Sequence, residues 1–217
     1  MPLEVERKYL RVDWTALRGR LRDLGADNTG AHFESNWILD APGGALFCSD
    51  RLLRLRTQEW GDRTRHFITL KLPAQGRAGF KTRDEREVEV ADCSAMGAIL
   101  EGLGYAVCAR YEKVRELWLL EGVAVALDVL PFGNVVELEG DAGRIDSLEK
   151  GLGLDKAERS TKSYHGIYQE WLRVRGLPPS AGGFVFDGAA RVAWRRKLGL
   201  GASGDVGGIA PPVATTH

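Results

Sequence analysis

The chain has 217 residues, 44% of them hydrophobic and 8% aromatic, and its 30 lysines and arginines are balanced by 30 aspartates and glutamates. A net charge of zero argues against a nucleic-acid partner, which calls for an uncompensated basic surface, and the apolar content excludes disorder of the whole chain. No run of apolar residues is long enough to span a bilayer, and the opening MPLEVERKYL lacks the order of a signal peptide, so a cytoplasmic protein with no membrane partner is expected.

Taken in chain order, alternating segments predict strands at residues 4–10, 37–39, 52–58, 66–72, 82–90, 107–120, 123–129 and 135–139, with turn formers such as Pro42-Gly43-Gly44 and Gly61-Asp62 between several of them. Helical spacing starts after Asp13, a capping residue followed by Trp14, Leu17, Leu21 and Leu24, and again after Asp92 over residues 95–103. Two more helices are predicted near residues 145–152 and over 163–175. Strands in hairpin order with a few helices between them indicate an α+β fold or a helix-flanked barrel rather than a doubly wound parallel sheet. Cys48, Cys93 and Cys108 are odd in number and widely spaced, which fits unpaired thiols better than a disulfide frame or a zinc site.

Residues 176–217 hold 9 of the 27 glycines and 4 of the 8 prolines, so the expected organisation is a domain over residues 1–175 and a C-terminal extension over 176–217, flexible from about residue 199. Residues 184–198 (FVFDGAARVAWRRKL) are expected to dock back on the domain, with a partner-binding segment as the alternative. Gly199, Gly201 and Gly204 have the G-x-G-x-x-G spacing, but no strand precedes them and prolines follow, so no phosphate loop is assigned.

Side chains alternate across a strand, so Glu4, Glu6 and Lys8 share one face while Leu3, Val5 and Tyr9 share the other. By the same parity Arg54 and Arg56 oppose Leu53 and Leu55; Arg83, Glu85, Glu87 and Glu89 oppose Val88 and Val90; Lys113 and Arg115 oppose Val114. Asp128 opposes Leu127 and Val129, and Glu137 and Glu139 oppose Val136 and Leu138. An apolar core face and a solvated charged face explain any one strand. The set is less ordinary, because the charged faces hold doublets of one sign, and like charges so close repel. If the amphipathic helices cover the apolar outside of a curved sheet, the charged faces line its inside. Buried charge must then be matched internally or by a ligand. A polyphosphate with divalent cations gives that match: Arg54, Arg56, Lys71, Lys113 and Arg115 suit phosphate oxygens, and paired glutamates supply hard oxygen ligands for Mg²⁺ or Mn²⁺.

The opening Leu3-Glu4-Val5-Glu6-Arg7-Lys8 resembles the E-x-E-x-K start of the CYTH, or triphosphate tunnel metalloenzyme, family, which includes class IV adenylate cyclases, thiamine triphosphatases and inorganic triphosphatases. The resemblance continues in order through Leu53-Arg54-Leu55-Arg56, Thr69-Leu70-Lys71, Arg86-Glu87-Val88-Glu89, Arg110-Tyr111-Glu112-Lys113-Val114-Arg115, Leu127-Asp128 and Glu137-Leu138-Glu139 to Thr161-Lys162-Ser163-Tyr164. It covers residues 1–175 and implies an eight-stranded antiparallel β-barrel forming a tunnel flanked by helices. It also implies metal carboxylates at Glu4, Glu6, Glu137 and Glu139, with Asp128 a further candidate, and triphosphate-binding cations at Lys8, Arg54, Arg56, Lys71, Lys113 and Arg115. Glu87 and Glu89 match a second acidic pair, and Glu4, Glu6 and Lys8 are the expected catalytic group. Arg110 matches by position but has the parity opposite to Lys113 and Arg115, so it reaches a tunnel only across a bulge. Lys162 reads either as a cap on one mouth or as a solvated helix lysine.

The implied protein is a Mg²⁺- or Mn²⁺-dependent enzyme acting on tripolyphosphate, ATP or thiamine triphosphate. Hydrolysis is the first expectation and cyclisation of ATP to cyclic AMP and pyrophosphate the alternative, with a non-catalytic polyphosphate-binding module third. Trp37, Trp60 and Phe67 are candidates to stack a base, though such residues more often serve core or strand packing. His32, His66 and His165 form no recognisable constellation, so no general base is assigned, and a homodimer stays open.

Overall fold

The computed structural model describes residues 3–77 and 79–201. Strand β1 (Leu3–Leu10) leads into helix α1 (Trp14–Asp23), whose first turn is capped by Asp13 accepting from the amides of Thr15 and Ala16. Strand β2 (Asp27–Asp40) is followed by a 3₁₀ turn at Pro42–Gly44, the one-turn α2 (Ala45–Cys48), and strands β3 (Leu52–Glu59), β4 (Thr64–Lys71), β5 (Gln75–Arg77) and β6 (Phe80–Val90). Asp92 caps α3 (Cys93–Gly102), after which β7 (Ala106–Leu120), β8 (Val123–Leu130) and β9 (Gly133–Glu139) form a meander. Helix α4 (Ala142–Gly151), strand β10 (Glu158–Ser160), helix α5 (Tyr164–Val174), the short β11 (Gly183–Phe184) and helix α6 (Gly188–Lys197) complete the chain.

Antiparallel ladders run β1-β9-β8-β7-β2-β3-β4-β6, and β6 pairs back onto β1, so eight strands close into a barrel flanked by six helices. Closure removes the sheet edges and gives the wall a distinct inside and outside. The outside is apolar. Tyr9, Leu127, Val136 and Leu138 pack with Leu17 and Leu21 of α1 and Ile145 and Leu148 of α4, and Trp37, Leu39, Leu53 and Leu55 pack with Leu100 of α3. Each such leucine, fully buried, contributes about 1.5–3 kcal/mol, so the helices fix which face of every strand turns inward. Trp37 is therefore core, with the Arg110 guanidinium 5.0 Å from its ring centroid on the same outer surface.

Strand β2 is far longer than residues 37–39. Its inward positions His32, Glu34 and Asn36 alternate one kind of polar group with another rather than polar with apolar, and the register shift at Asn28/Gly30 breaks the period. The extension sits on the barrel. Its β11 pairs with β7, while Phe186 packs on Phe33 and Val114 beside Ala190 and Trp194. Residues 202–217, with Gly204 and most of the stretch expected to be flexible, lie outside the described residues. Among the described residues no helix is long and apolar enough to cross a membrane.

Candidate active site

The registers explain several of the one-sign doublets, whose members face charge of the other sign on a neighbouring strand. Glu4 lies opposite Arg83 and Glu6 opposite Lys81 across β1/β6, Lys8 opposite Glu137 across β1/β9, and Lys71 opposite Glu85 across β4/β6. Glu34 lies opposite Lys113 across β2/β7 and Arg115 opposite Asp128 across β7/β8. The side chains follow. Lys8 Nζ is 2.7 Å from Glu6 and 2.8 Å from Glu137, Lys81 is 3.1 Å from the same Glu6 oxygen, and Lys71 is 2.6 Å from Glu85. Lys113, 1% exposed, lies 3.2 Å from Glu34 and 3.4 Å from Asp128; Arg115 makes two 2.7 Å bonds to Asp128 and a third to Glu137.

Strand β3 breaks this pairing rule. Arg54 faces Ile38 and Thr69, and Arg56 faces Asn36 and Phe67, with no carboxylate directly across from either. Arg54 is 4% exposed, yet among the described residues it holds the Tyr111 hydroxyl at 3.1 Å, Thr69 at 3.2 Å and the distant Glu85 and Glu87 at 3.5 and 3.4 Å, and its Nε has no partner there. Arg56 donates to Asn36 at 3.0 Å and lies 3.6 Å from Glu34. A buried guanidinium with an unmet donor is costly, and a phosphate oxygen would complete it.

The opposite concentration lies on β1 and β9, where Glu6 faces Glu139 beside Glu137. Burial and the neighbouring Glu137 hold the Glu6 carboxyl above its usual range, against the pull of Lys8 and Lys81. Burial is the largest influence on Glu137 and Asp128 and would raise both, but Lys8, the Glu6 hydrogen bond, Arg115 and Lys113 together overcome it at Glu137, and Arg115 and Lys113 together at Asp128, so both are lowered. Glu34 is lowered too, burial being overcome by Arg56 and Lys113. Among the described residues no three histidine, cysteine or acidic side chains form a ready cage for a metal ion. Mg²⁺ needs none, since one or two carboxylates, water and substrate phosphate commonly complete its shell. Glu6 and Glu137 fit that role: both are hard oxygen donors, and the raised Glu6 records carboxylate repulsion that a cation relieves. Asp128 sits differently, its oxygens engaged by Arg115, Lys113 and the Tyr164 hydroxyl.

Three buried carboxylates with lowered values dominate the acid stability. The contribution of Glu34, Asp128 and Glu137 is complete above the ordinary carboxylate range and is lost as pH falls through their folded values. Glu6 works the other way, its raised value favouring the fold at low pH and withdrawing that support as pH rises through it. Without added metal, the melting temperature is expected to drop below about pH 4. It should also decline modestly above pH 4 in the parent and not in Glu6→Gln; calorimetric scans across pH check both arms.

The cavity enclosed by these strands has a volume of 2010 Å³. It is lined by Glu6, Lys8, Arg54, Arg56, Lys71, Glu87, Lys113, Arg115, Glu137 and Glu139, so most of the expected site residues share one cavity. Asp128 is buried behind Lys113 and Arg115. Glu89 lies at the barrel rim, bonded to Arg65 in solvent. The Glu4 backbone lies beside Arg83, and its side chain lies outside the described residues. Lys162 is exposed, 3.9 Å from Glu170 on the surface of α5. Tyr164, at the start of α5, is 2.6 Å from Glu137, and the Lys8 and Lys113 ammoniums approach its ring at 5.1 and 5.2 Å. The sequence reading missed Glu34, Lys81, Tyr111 and Tyr164 as site residues. Tyr111 has the parity of Lys113 and Arg115, a signal that was present; Lys81 precedes the predicted strand by one residue. His32 bonds Glu34 at 2.9 Å beneath the Trp60 ring, and His66 bonds Thr57, so neither faces the cavity as a base.

Fold and site thus define a closed antiparallel tunnel whose inner wall sets basic residues against acidic ones. The family model of the CYTH domain matches residues 2–164, and the chain belongs to that family. It is 27% identical over 180 residues to the "putative adenylate cyclase" of Methanocaldococcus jannaschii, covering 81% of this chain and 99% of that one. The structure is similar to that of a "putative adenylate cyclase" from Vibrio parahaemolyticus, with TM-score 0.67, 21% identity, and coverage of 76% of this chain and 97% of that one. It is also similar to the "putative adenylyl cyclase" of Hippeastrum, described as revealing a dominant triphosphatase activity, with TM-score 0.59, 20% identity, and coverage of 78% and 96%.

Proposed function

We propose that the protein is a Mg²⁺- or Mn²⁺-dependent enzyme that binds a triphosphate in the barrel and hydrolyses it. The observation that carries this reading is the division of charge inside the tunnel: Arg54 and Arg56 on β3 without opposed carboxylates, and Glu6, Glu137 and Glu139 gathered on β1 and β9. A polyanion accompanied by a divalent cation matches both walls at once. Arg54 and Arg56 offer planar forks to phosphate oxygens, and Lys71, Lys113 and Arg115 add positive charge held in place by Glu85, Glu34 and Asp128. Glu6 and Glu137, with Glu139 beside them and with Glu4 as the further ligand that the family resemblance implies, would hold the metal. When bound, it would supply charge neutralisation on the transferred phosphoryl group and acidify a coordinated water. Lys8, held between Glu6 and Glu137, would offer its ammonium to the charge that builds on the phosphate.

Cyclisation of ATP is the second reading, favoured by the name of the archaeal relative. It needs everything above and in addition a fixed adenine and ribose, so that the 3′-hydroxyl attacks the α-phosphorus. Hydrolysis is preferred because the charged residues already placed suffice for it. Tripolyphosphate, ATP and thiamine triphosphate, each incubated with and without Mg²⁺ or Mn²⁺ and resolved by ion chromatography, separate the two. Metal-dependent release of phosphate is expected. Cyclic AMP with pyrophosphate would reverse the order of the readings, and full turnover in chelator would remove the metal.

A further inference from the structure

We infer that Phe184, in the C-terminal extension, is a positioning residue for the phosphate site: it holds Tyr111, and Tyr111 holds Arg54. The inference rests on Arg54 being a phosphate ligand. The family match ends at residue 164, so this segment lies beyond what the family model covers.

The ladder between β7 and β8 begins at Val114 and Val129, so on that side residues 106–113 of β7 run past their partner. Strand β11 takes up this edge, with Gly183 opposite Arg110, Phe184 opposite Tyr111, and the Arg110 amide donating to the Gly182 carbonyl at 3.0 Å. The contact is close enough to require glycine. Gly183 has φ +91°, and a Cβ there would lie 1.9 Å from the Arg110 carbonyl oxygen. Phe184 is 5% exposed, and its ring lies 5.3 Å from that of Tyr111 and 4.9 Å from that of Phe132. Tyr111 lies on the inward parity of β7, and its hydroxyl accepts from Arg54 Nη1 at 3.1 Å. The phenyl ring thus fixes one of the two neutral hydroxyls, the other being that of Thr69, that align a guanidinium whose Nε is unmet among the described residues. The extension is anchored independently further on: Arg191 lies 3.0 Å from Glu112, and Arg195 bonds Glu59 at 2.7 and 3.0 Å. Removing the phenyl ring therefore loosens Tyr111 without releasing α6.

Titration calorimetry of tripolyphosphate in Mg²⁺ buffer tests this on the full chain and on Phe184→Ala, Tyr111→Phe and their double variant, with Gly183→Val as a second way to displace β11 and Glu59→Gln as a control. Phe184→Ala and Tyr111→Phe should each weaken binding roughly tenfold, and the double variant should be no weaker than the poorer single, because both losses run through one contact chain. Gly183→Val should match Phe184→Ala, while Glu59→Gln should lower the melting temperature and leave affinity unchanged. Parent-like affinity in Phe184→Ala, or losses that simply add in the double variant, would overturn the inference and leave the triphosphate site standing. A parent chain that does not bind tripolyphosphate would overturn the reading of Arg54 and this inference with it.

Discussion

Glu6→Gln is expected to lower kcat on a triphosphate on the order of a hundredfold or more. In the same variant the melting temperature of the metal-free protein at neutral pH should stay within about 2–4 °C of the parent or rise. The two effects part because Glu6 is poorly placed for stability. It is buried against Glu137, its carboxyl is held up by that burial and that neighbour, and both Lys8 and Lys81 are needed to keep it charged. Glutamine keeps the shape, still bonds Lys8 through its carbonyl only weakly, and removes the repulsion from Glu137. What is lost is the negative charge, which matters when a divalent cation and a polyphosphate must be held together. Steady-state kinetics beside differential scanning calorimetry provide the check. A variant that unfolds while its remaining folded fraction turns over normally would make Glu6 a structural residue.

Asp128→Asn is expected to show the opposite balance, costing about 3–5 kcal/mol of stability. Asp128 is fully buried and bonded to Arg115 through both oxygens, with Lys113 at 3.4 Å and the Tyr164 hydroxyl on the same carboxylate. Asparagine leaves a guanidinium and an ammonium deep in the barrel with one negative charge fewer to hold them, and it turns an acceptor into an amide facing Arg115 donors. Denaturant unfolding should show a lower midpoint with an unchanged slope. Unaltered stability together with loss of metal affinity would place Asp128 among the metal ligands instead.

The contrast between Glu6 and Asp128 marks how far the sequence carries. Parity was legible along β3 and β9, where apolar outer residues alternate with charged inner ones, and along β1 and β7 despite charged outer residues at Arg7, Arg110, Glu112 and Glu116, which bind the covering helices and extension or lie over Trp37. The doublets of one sign were legible as an anomaly. Their resolution needed the registers, since Lys81 faces Glu6 from a residue far along the chain and Glu34 reaches Lys113 from a strand whose inner positions His32, Glu34 and Asn36 are all polar. Tyr164 was beyond strand arithmetic altogether, because it enters the barrel from the first turn of a helix capped by Ser163. Equal-looking carboxylates in the sequence are therefore unequal in the structure. Asp128 is saturated by protein cations, whereas Glu6 shares its position with a second carboxylate and has most to gain from a bound metal.

The barrel interior is expected to hold a triphosphate on the Arg54 side. Titration calorimetry of tripolyphosphate with Mg²⁺, comparing the parent with Arg54→Met, tests it most directly. One triphosphate per chain and an affinity loss of about a hundredfold in the variant are predicted, since a buried charge-assisted pair is removed. Absence of binding to the parent, or equal affinity in the two proteins, would contradict it.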